Sequence, residues 1–317
     1  MRKAALLFNS DSGGRRGRRR AQLDSVLAML RDEGVEAELF LPESPAQARG
    51  MARQALADGC DTVFAGGGDG TIHNIAQVLA NTPIALGILP MGTANALAHD
   101  VGLPMNVAAA ARAALHGVPR RVAVGRVQFV NLSGEPESRF FVVAAGAGVD
   151  AHLFYKLHSG VKQNMGMAAY YAKAWNLWFS HVMVRFRVDF AETGARDRQS
   201  ADVTELIAVR IRNFGGVLRE FAPGASLDRN DNRLIYCRTA SRLAFLHYVT
   251  QGLLGRRWKI KGIDLAHSEQ VSLSYLEASD GKRREKIYIE ADGELVGMLP
   301  AEITAVPDAL TLLVPAP

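Results

Sequence analysis

The hydrophobic pattern of the first 120 residues alternates between short apolar runs and segments of helical periodicity. Strands are predicted at Ala4–Phe8, Val35–Leu41, Thr62–Ala65 and Ile84–Leu89, and helices at 23–30, Gln47–Leu56 and after Thr71. In the third helix, apolar residues recur at i, i+3, i+4 and i+7 from Ile72, which places them on one face. This alternation predicts an α/β domain, a parallel sheet covered by helices on both faces.

The pattern changes after about Pro119, where apolar and charged residues alternate within short runs. Strands are predicted at Arg121–Val127, Phe140–Ala144, Val182–Phe190, Val203–Arg212, Leu234–Thr239, Val271–Leu276 and Ile287–Glu290, and helices at Met165–Ser180 and Arg242–Leu254. Such alternation is typical of a half-solvated antiparallel sheet. We expect an α/β domain over residues 1–122 and a mainly β domain over 123–300. Because Leu310–Val314 is a further apolar, strand-like run, we expect residues 301–317 to return to the first domain.

Composition fits two globular domains in a chain of 317 residues with a formal charge of +5. Cys60 and Cys237 are too few for a disulfide framework, and the apolar run after Met1 predicts a strand rather than a signal peptide. No uninterrupted apolar stretch of about eighteen residues occurs, so no membrane span is predicted. These features favour a cytoplasmic protein.

The excess positive charge lies in two clusters. One contains Arg15, Arg16, Arg18, Arg19 and Arg20, and the other contains Lys282, Arg283, Arg284 and Lys286. Clusters of this kind suit nucleotide phosphates, an anionic membrane surface or nucleic acid. An ordinary solvated face explains the second cluster equally well.

A glycine-rich segment joins the third predicted strand to the third predicted helix; it consists of Gly66, Gly67, Gly68, Asp69, Gly70 and Thr71. Residues without Cβ let backbone N–H groups approach a polyphosphate, and a helix N-terminus favours its charge. Asp69 would repel phosphate unless Mg²⁺ lies between them or the carboxylate organises the loop. The segment therefore predicts a nucleotide site, with a plain glycine turn as the alternative.

Two better-known nucleotide motifs do not describe this chain. The sequence contains no G-x-x-x-x-G-K-[ST], so it has no P-loop. Gly146–Ala151 matches the loose dinucleotide pattern G-x-G-x-x-A, but no acidic residue follows at about twenty residues, which makes it a poor candidate. Ligands of open α/β sheets bind beyond the carboxyl ends of strands, so the loops Asn9–Gly14, Gly66–Thr71 and Gly92–Asn95 are expected to converge.

Several separated motifs resemble the diacylglycerol kinase catalytic-domain family, which includes bacterial lipid kinases and the sphingosine and ceramide kinases. Gly66–Thr71 resembles the family's nucleotide loop, and Gly92–Ala98 resembles its second loop. Three further segments resemble family blocks: Asn9–Gly14 with Ser10 in place of Pro, Gly146–Ala151, and Glu290–Glu294 with its Asp-Gly-Glu element. The resemblance covers nearly the whole chain in the right order.

The resemblance implies an ATP-binding α/β domain, distantly like those of NAD kinases and phosphofructokinases, followed by a β-sandwich domain. ATP and Mg²⁺ are the implied cofactors. The predicted nucleotide-binding residues are Asn9, Ser12, Gly66, Gly67, Gly68, Asp69, Gly70, Thr71, Gly92, Thr93 and Asn95. Asp69 is the first predicted metal ligand. Asp231, followed by Asn232, is the second, because several bacterial members hold a structural Mg²⁺ with an Asp followed by Gly.

Two residues depart from the family pattern. Asn74 stands where many members carry Glu, which removes a charge beside the phosphate loop. Ala96 replaces the Asp of bacterial diacylglycerol kinases and gives the Asn-Ala-Leu-Ala version seen in sphingosine-kinase-like members. The Asn-Ala-Leu-Ala version favours a sphingoid substrate without excluding diacylglycerol, and the two departures together keep open a protein that has lost catalysis.

Asp292 and Glu294 are the predicted catalytic residues. A carboxylate on a tight turn can approach a substrate hydroxyl as a base, and the resemblance gives Asp292 this role. Glu294 would orient Asp292 or help to hold Mg²⁺. A plain hairpin is the alternative, because Asp-Gly is a strong turn signal by itself.

The lipid side of the prediction depends on Met165–Ser180, whose aromatic residues include Trp175 and Trp178. Such residues favour membrane interfaces, although a buried core helix gives the same pattern. We expect an ATP- and Mg²⁺-dependent kinase that phosphorylates a hydroxyl of diacylglycerol, a sphingoid base or a related lipid. It would act at a membrane surface as a peripheral protein, without nucleic acid, and a homodimer is left open. An NAD kinase-like enzyme and a catalytically silent nucleotide-binding protein are the rival interpretations.

Overall fold

The computed structural model describes residues 1–8, 16–148, 183–214, 221–254, 259–277 and 285–316. Predictions that involve Asn9, Ser12, Met165–Ser180 and 282–284 lie outside the described residues. The chain divides into two compact units. The first contains Met1–Val124, Asn213–Leu218 and Val306–Pro317, and the second contains Gly125–Arg212 and Arg219–Ala305.

The first unit is built on a parallel sheet. Its strands are β1 (Lys3–Phe8), β2 (Glu36–Phe40), β3 (Thr62–Gly67), β4 (Ala85–Pro90) and the end of a long last strand, β15 (Glu294–Val314). They pair in the order β2-β1-β3-β4-β15, all parallel. The helices are α1 (Arg16–Asp32), α2 (Pro45–Ala57), α3 (Asp69–Leu79), α4 (Ala96–Asp100) and α5 (Val107–Leu115). This confirms the predicted parallel sheet with helices.

Helix α3 buries the face that its periodicity predicts. Ile72, Ile75, Ala76 and Leu79 are all at most 2% exposed. The helix begins at Asp69, three residues earlier than predicted, with Gly68 as its N-cap. Part of the predicted loop therefore forms the first helical turn.

The second unit is an antiparallel β-sandwich, as predicted. Its strands are β5 (Val118–Val130), β6 (Pro136–Phe141), β7 (Ala144–Gly148), β8 (Phe186–Ala191), β9 (Arg198–Val203), β10 (Glu205–Val209), β11 (Asn232–Cys237), β12 (Ile263–Ser268), β13 (Gln270–Tyr275), β14 (Tyr288–Ala291) and the start of β15. One layer has the order β12-β11-β10-β7-β14-β15, and the other contains β9-β8-β13-β15 with β5 and β6. Between them lies a core that includes Phe141, Phe186 and Leu273. A sixth helix, α6, spans Arg242–Leu253.

Two strands were predicted with the wrong bounds. The predicted strand Phe140–Ala144 is broken, because the N–H groups of Val142 and Val143 bind the Asp292 carboxylate instead of a neighbouring strand. The predicted strand Val203–Arg212 starts too late and is interrupted at Thr204, whose hydroxyl donates to the Thr239 carbonyl at 2.8 Å.

Candidate functional site

Two glycines bring the second and third predicted loops of the first unit into contact. Strands β3 and β4 end side by side, with Gly67 opposite Pro90. Immediately beyond them, a Cβ added at Gly92 would lie inside van der Waals contact with the Gly68 Cα and 2.9 Å from the Asn95 Oδ1. Only glycine at position 92 allows this approach, so the loops converge as the sequence predicts.

Asn95 holds the second loop in shape. Its Oδ1 accepts a hydrogen bond from the Gly92 N–H at 2.9 Å, and its Nδ2 donates to the Gly92 carbonyl at 3.0 Å. Asn95 itself has φ +47 and is 7% exposed; Asn tolerates this left-handed conformation better than most residues. The structure therefore gives Asn95 a role in ordering the second loop.

The N-terminus of α3 forms the other side of this junction. Gly68 is the N-cap, and its carbonyl accepts from the N–H groups of Thr71 and Ile72 at 3.0 and 3.2 Å. The Thr71 side chain lies over Gly67, where an added Cβ would overlap it. Asp69 occupies the first helical position, where a carboxylate interacts favourably with the helix dipole. This dipole interaction gives Asp69 a structural role that needs no metal.

Asn74 lies one turn further along α3 and is one of the two residues that depart from the family pattern. Its Nδ2 donates to the Gly70 carbonyl at 2.9 Å, and its Oδ1 accepts from the Arg49 guanidinium of α2. A Glu at this position would neutralise Arg49, whereas Asn leaves its charge in place. Asn74 therefore keeps one more positive charge beside the glycine-rich turn.

Asp292 lies in a tight turn of the second unit. Asp292 and Gly293 have φ +49 and +82, and they connect β14 to β15 as the two central residues of a hairpin. Positive φ at both positions is typical of a type I′ turn, for which Asp-Gly is favoured. The Gly293 N–H donates to the Glu290 carboxylate at 2.8 Å. The predicted hairpin is thus present at the predicted catalytic residue.

The Asp292 carboxylate anchors the chain between β6 and β7. Its Oδ2 accepts from the Val142 N–H at 2.9 Å, and its Oδ1 accepts from the N–H groups of Val143 and Ala144 at 2.8 and 3.1 Å. The Asp292 N–H in turn donates to the Ala144 carbonyl at 2.8 Å. An ionised carboxylate can accept about four hydrogen bonds. If Asp292 acts as a base, it must therefore take the proton on an oxygen that already accepts hydrogen bonds from the backbone.

The glycines of the dinucleotide-like segment serve packing. Gly146 and Gly148 lie on β7, and β7 pairs with β10 and β14. A Cβ at Gly146 would lie 3.0 Å from the Glu290 Oε1, and one at Gly148 would lie 2.7 Å from the Glu205 Oε2. Both glutamates are buried, so these glycines make room for carboxylates rather than for a dinucleotide.

Asp231 is neutralised by a side chain of its own loop. Its two carboxylate oxygens accept from the Arg229 guanidinium at 2.6 and 2.7 Å, and the His267 Nδ1 lies 3.1 Å from its Oδ1. Burial is the largest single influence and opposes ionisation, but the hydrogen bonds from Arg229 and Thr193, together with the charges of His267 and Arg229, outweigh it and lower the pKa of Asp231 to about 2. Among the residues that the structure describes, no group of three His, Cys, Asp or Glu side chains is placed to hold a metal. The metal roles of Asp231 and Asp69 stay predictions.

The predicted site residues therefore fall into three groups. Gly66, Gly67, Gly68, Asp69, Gly70, Thr71, Gly92, Thr93 and Asn95 lie at the carboxyl ends of β3 and β4 or in the first turn of α3. Asp292 and Glu294 lie at the β14–β15 turn, and Asp231 lies just before β11. Two positioning residues were missed, Arg49 and Glu290. Arg49 contacts Asn74 on another helix, which the sequence alone does not place beside it, whereas Glu290 contacts Gly293 within the predicted hairpin, so the turn signal could have indicated it. Within the described ranges, no helix is long and apolar enough to cross a membrane.

Comparison with known proteins covers almost the entire chain. The family described as the diacylglycerol kinase catalytic domain matches residues 3–127, and the YegS C-terminal NAD kinase beta sandwich-like domain matches residues 143–314. A diacylglycerol kinase of Bacillus subtilis (strain 168) is 27% identical over 306 residues, covering 95% of this chain and 93% of its own. A diacylglycerol kinase of Mycobacterium tuberculosis (strain CDC 1551 / Oshkosh) is 30% identical over 299 residues, covering 92% and 88%.

A solved structure supports the same fold. The crystal structure of a diacylglycerol kinase from Bacillus anthracis str. Sterne superposes with a TM-score of 0.67 over 98% of this chain and 96% of its own, at 16% identity. The two matched families together span both units, in the order that the sequence motifs predict. The chain therefore belongs to the diacylglycerol kinase catalytic-domain family.

Proposed function

We propose that this protein is an ATP- and Mg²⁺-dependent lipid kinase that phosphorylates a hydroxyl group of diacylglycerol, a sphingoid base or a related lipid. The observation that carries the proposal is the glycine junction at Gly68 and Gly92. Backbone lies there without side chains, next to the N-terminus of the eleven-residue helix α3. Backbone N–H groups at a helix N-terminus bind phosphate groups. Membership of a kinase family makes a nucleotide the expected phosphate ligand.

The residues of the first unit would bind and position the nucleotide. Gly68 and Gly92 let backbone approach the phosphates, and Asn95 keeps the second loop in that conformation. Thr71 offers a hydroxyl over the same turn, and Arg49 adds positive charge beside it. Asp69 would hold Mg²⁺, which when bound neutralises phosphate charge.

Residues of the second unit would act on the acceptor. Phosphoryl transfer needs a group that takes the proton of the attacking hydroxyl, and Asp292 is the proposed base. Its three backbone hydrogen bonds fix the carboxylate in one orientation, which is the condition for an effective base. Glu290 holds the adjacent Gly293 N–H and so stabilises the turn. Glu294 is the first residue after the turn and would help to orient the base.

A catalytically silent nucleotide-binding protein is the second candidate. The observation that favours it is the anchoring of Val142, Val143 and Ala144 by Asp292, because this alone would explain the carboxylate. A silent protein would keep the glycine junction and bind ATP without turnover. The two candidates therefore differ in activity and not in nucleotide affinity.

A transfer assay with radiolabelled ATP tests the proposal directly. The acceptors are diacylglycerol, sphingosine, ceramide, phosphatidylglycerol and NAD, each with and without Mg²⁺. We expect labelled product from a lipid acceptor only, and only with Mg²⁺. Product from NAD alone would favour the NAD kinase-like interpretation. ATP binding without transfer to any acceptor would favour the silent protein.

We propose peripheral membrane association from the sequence of Met165–Ser180. If this segment is interfacial, replacing Trp175 and Trp178 by Ala weakens binding to anionic vesicles and activity on vesicle-embedded lipid, while activity on a short-chain analogue survives. Vesicle flotation and paired assays measure this. Equal loss of both activities together with a lower melting temperature would identify a core helix, since a buried Trp contributes about 3–5 kcal/mol.

A further inference from the structure

The β-rich unit contains a cavity that takes no part in the proposed phosphoryl transfer. It has a volume of about 720 Å³ and is lined by residues of β11, β12 and α6 and of the adjoining loops. Cavities of about 300–1,000 Å³ are the size that binds small organic ligands. Of the predicted nucleotide and catalytic residues that the structure describes, none lines it.

One end of this cavity carries an unpaired positive charge. Arg233 of β11 and His267 of β12 face each other directly in the strand register, and both line the cavity. Within the described part of the chain, the Arg233 side chain makes no hydrogen bond or ion pair, and its Nε is shielded from solvent. A guanidinium is charged at neutral pH. No carboxylate of the described residues forms an ion pair or hydrogen bond with this partly buried cation, so it favours an anion supplied from outside.

Gly224 keeps the space at this charged end open. A Cβ at Gly224 would lie 3.0 Å from the His267 Nε2 and 4.0 Å from the Arg233 Nε, and its φ of +89 suits glycine. The His267 Nδ1 is bound to the Asp231 carboxylate, so Nε2 is the ring nitrogen at the glycine. Lys259, also in the lining, adds a second positive charge.

The two acidic residues in the lining already have partners. Asp264 forms an ion pair with Arg238 at 2.7 Å, and Glu192 accepts a hydrogen bond from the Gln199 amide at 3.1 Å. The Gln199 amide is neutral, so Glu192 keeps its negative charge. Arg233 and Lys259 together outnumber it, which leaves a net positive charge in the lining for a ligand.

The wall also contains apolar residues. Ile263 and Leu265 precede His267 at alternate positions of β12 and thus lie on the same face of the strand. Ile260 and the Tyr248 ring also line the cavity. The Tyr248 hydroxyl donates to the Phe221 carbonyl at 2.5 Å, which fixes the ring. A ligand here meets both charged and apolar side chains.

We propose that this cavity binds an amphiphile with a phosphate monoester headgroup, with the phosphate at Arg233 and the apolar chain along Leu265 and Ile263. Two cations suit a phosphate monoester, which carries up to two negative charges, and the arginine fork can bind two of its oxygens. Inorganic phosphate shares the headgroup chemistry but cannot use the apolar wall. The inference goes beyond the proposed kinase function, because it concerns binding only.

Calorimetric titration of the full chain tests the proposal. The probes are dihexanoyl phosphatidate below its micelle concentration, neutral dihexanoylglycerol and inorganic phosphate. We expect phosphatidate to bind at least about tenfold more tightly than phosphate. Arg233→Met should weaken phosphatidate binding at least about tenfold. The matched control is Arg187→Met, which removes an exposed arginine of β8 paired with Asp202 and should change the affinity less than about twofold.

Further variants distinguish binding at this cavity from binding at the kinase site, and loss of the ligand contact from loss of folding. If Arg233→Met melts early, Lys259→Met, at an exposed position, provides the second reading and should weaken binding about threefold. Retained phosphatidate binding in Asp292→Asn, whatever its activity, supports a separate site. Unchanged affinity in both cavity variants, or equal affinity for phosphate and phosphatidate, would overturn the inference.

Discussion

Replacing Asp292 by Asn and by Ala separates its two roles, base and backbone anchor. Alanine removes the acceptor for three N–H groups, those of Val142, Val143 and Ala144. Asparagine keeps one oxygen, which can still accept from Val143 and Ala144, but turns an N–H toward the Val142 donor. We therefore expect stability to fall in the order wild type, Asp292→Asn, Asp292→Ala.

The magnitudes follow from the hydrogen bonds. A donor left without a partner costs about 1–3 kcal/mol, and water replaces part of this at a half-buried turn, so we expect about 2–4 kcal/mol for Ala. Asn should cost about 1–2 kcal/mol. For a unit of this size each kcal/mol lowers the melting temperature by about 2–4 °C. The Ala variant should therefore melt about 4–16 °C early and the Asn variant about 2–8 °C early.

Activity should not follow the same order. Both substitutions remove the base, so kcat should fall by about 10²–10⁴ in each, measured with a short-chain lipid well below the melting temperature. ATP affinity, measured by calorimetry, should stay within about threefold, because the carboxylate bonds are to backbone of the second unit only.

A matched control separates stability from chemistry. Leu273→Ala, in the core of the same unit, should cost about 2–5 kcal/mol while leaving kcat per folded molecule near wild type. If Asp292→Asn also kept near-wild-type kcat, Asp292 would be an anchor and not the base. In that case the catalytic residue would have to be sought elsewhere.

Three further predictions concern the glycine junction, the proposed metal ligand and the Asp231 loop. Gly92→Ala should weaken ATP binding at least about tenfold in a calorimetric titration, because its Cβ has no room, whereas Gly50→Ala in α2, with open space around it, should leave binding unchanged and add up to about 1 kcal/mol of stability. Asp69→Ala should weaken ATP binding and remove its Mg²⁺ dependence together, and unchanged titrations with and without Mg²⁺ would reduce Asp69 to a helix-capping charge. The pKa of Asp231 is about 2 in the folded chain against an ordinary 3.8, so the stability from its pair with Arg229 is present above about pH 4 and lost as the pH falls to 2. Arg229→Met should accordingly lower the free energy of unfolding by about 1–3 kcal/mol at pH 6 and by much less at pH 2, measured by urea denaturation; an equal loss at both pH values would contradict the ion pair.

Local patterns predicted the parts of the site that depend on neighbouring residues. The period of α3, the turn of glycines before it and the Asp-Gly hairpin at Asp292 all follow from a few consecutive residues, and the structure contains each of them. Gly92 is different, because its requirement for glycine comes from Gly68, which lies on another loop. The sequence predicted that the loops converge, but it could not indicate which atoms meet.

Longer-range contacts explain the errors. Residues 140–144 have the composition of one strand, yet the chain bends there because a carboxylate about 150 positions away binds its N–H groups. Gly146 and Gly148 look like a phosphate turn, yet they are strand residues whose missing side chains admit Glu290 and Glu205 from the two adjacent strands. In both cases a partner distant in sequence overrides the local preference.

The anchoring role of Asp292 changes what its presence in the chain can prove. A residue that serves only as a base can be lost once activity is no longer needed, at little cost to the fold. Asp292 also holds the bend between β6 and β7, so its loss would leave three backbone donors without an acceptor. Selection for stability alone would therefore retain it in a silent protein. Its match to the Asp-Gly-Glu element accordingly supports the family assignment more strongly than it supports catalysis. The Asn variant decides between them, since it largely preserves the anchor and removes the base.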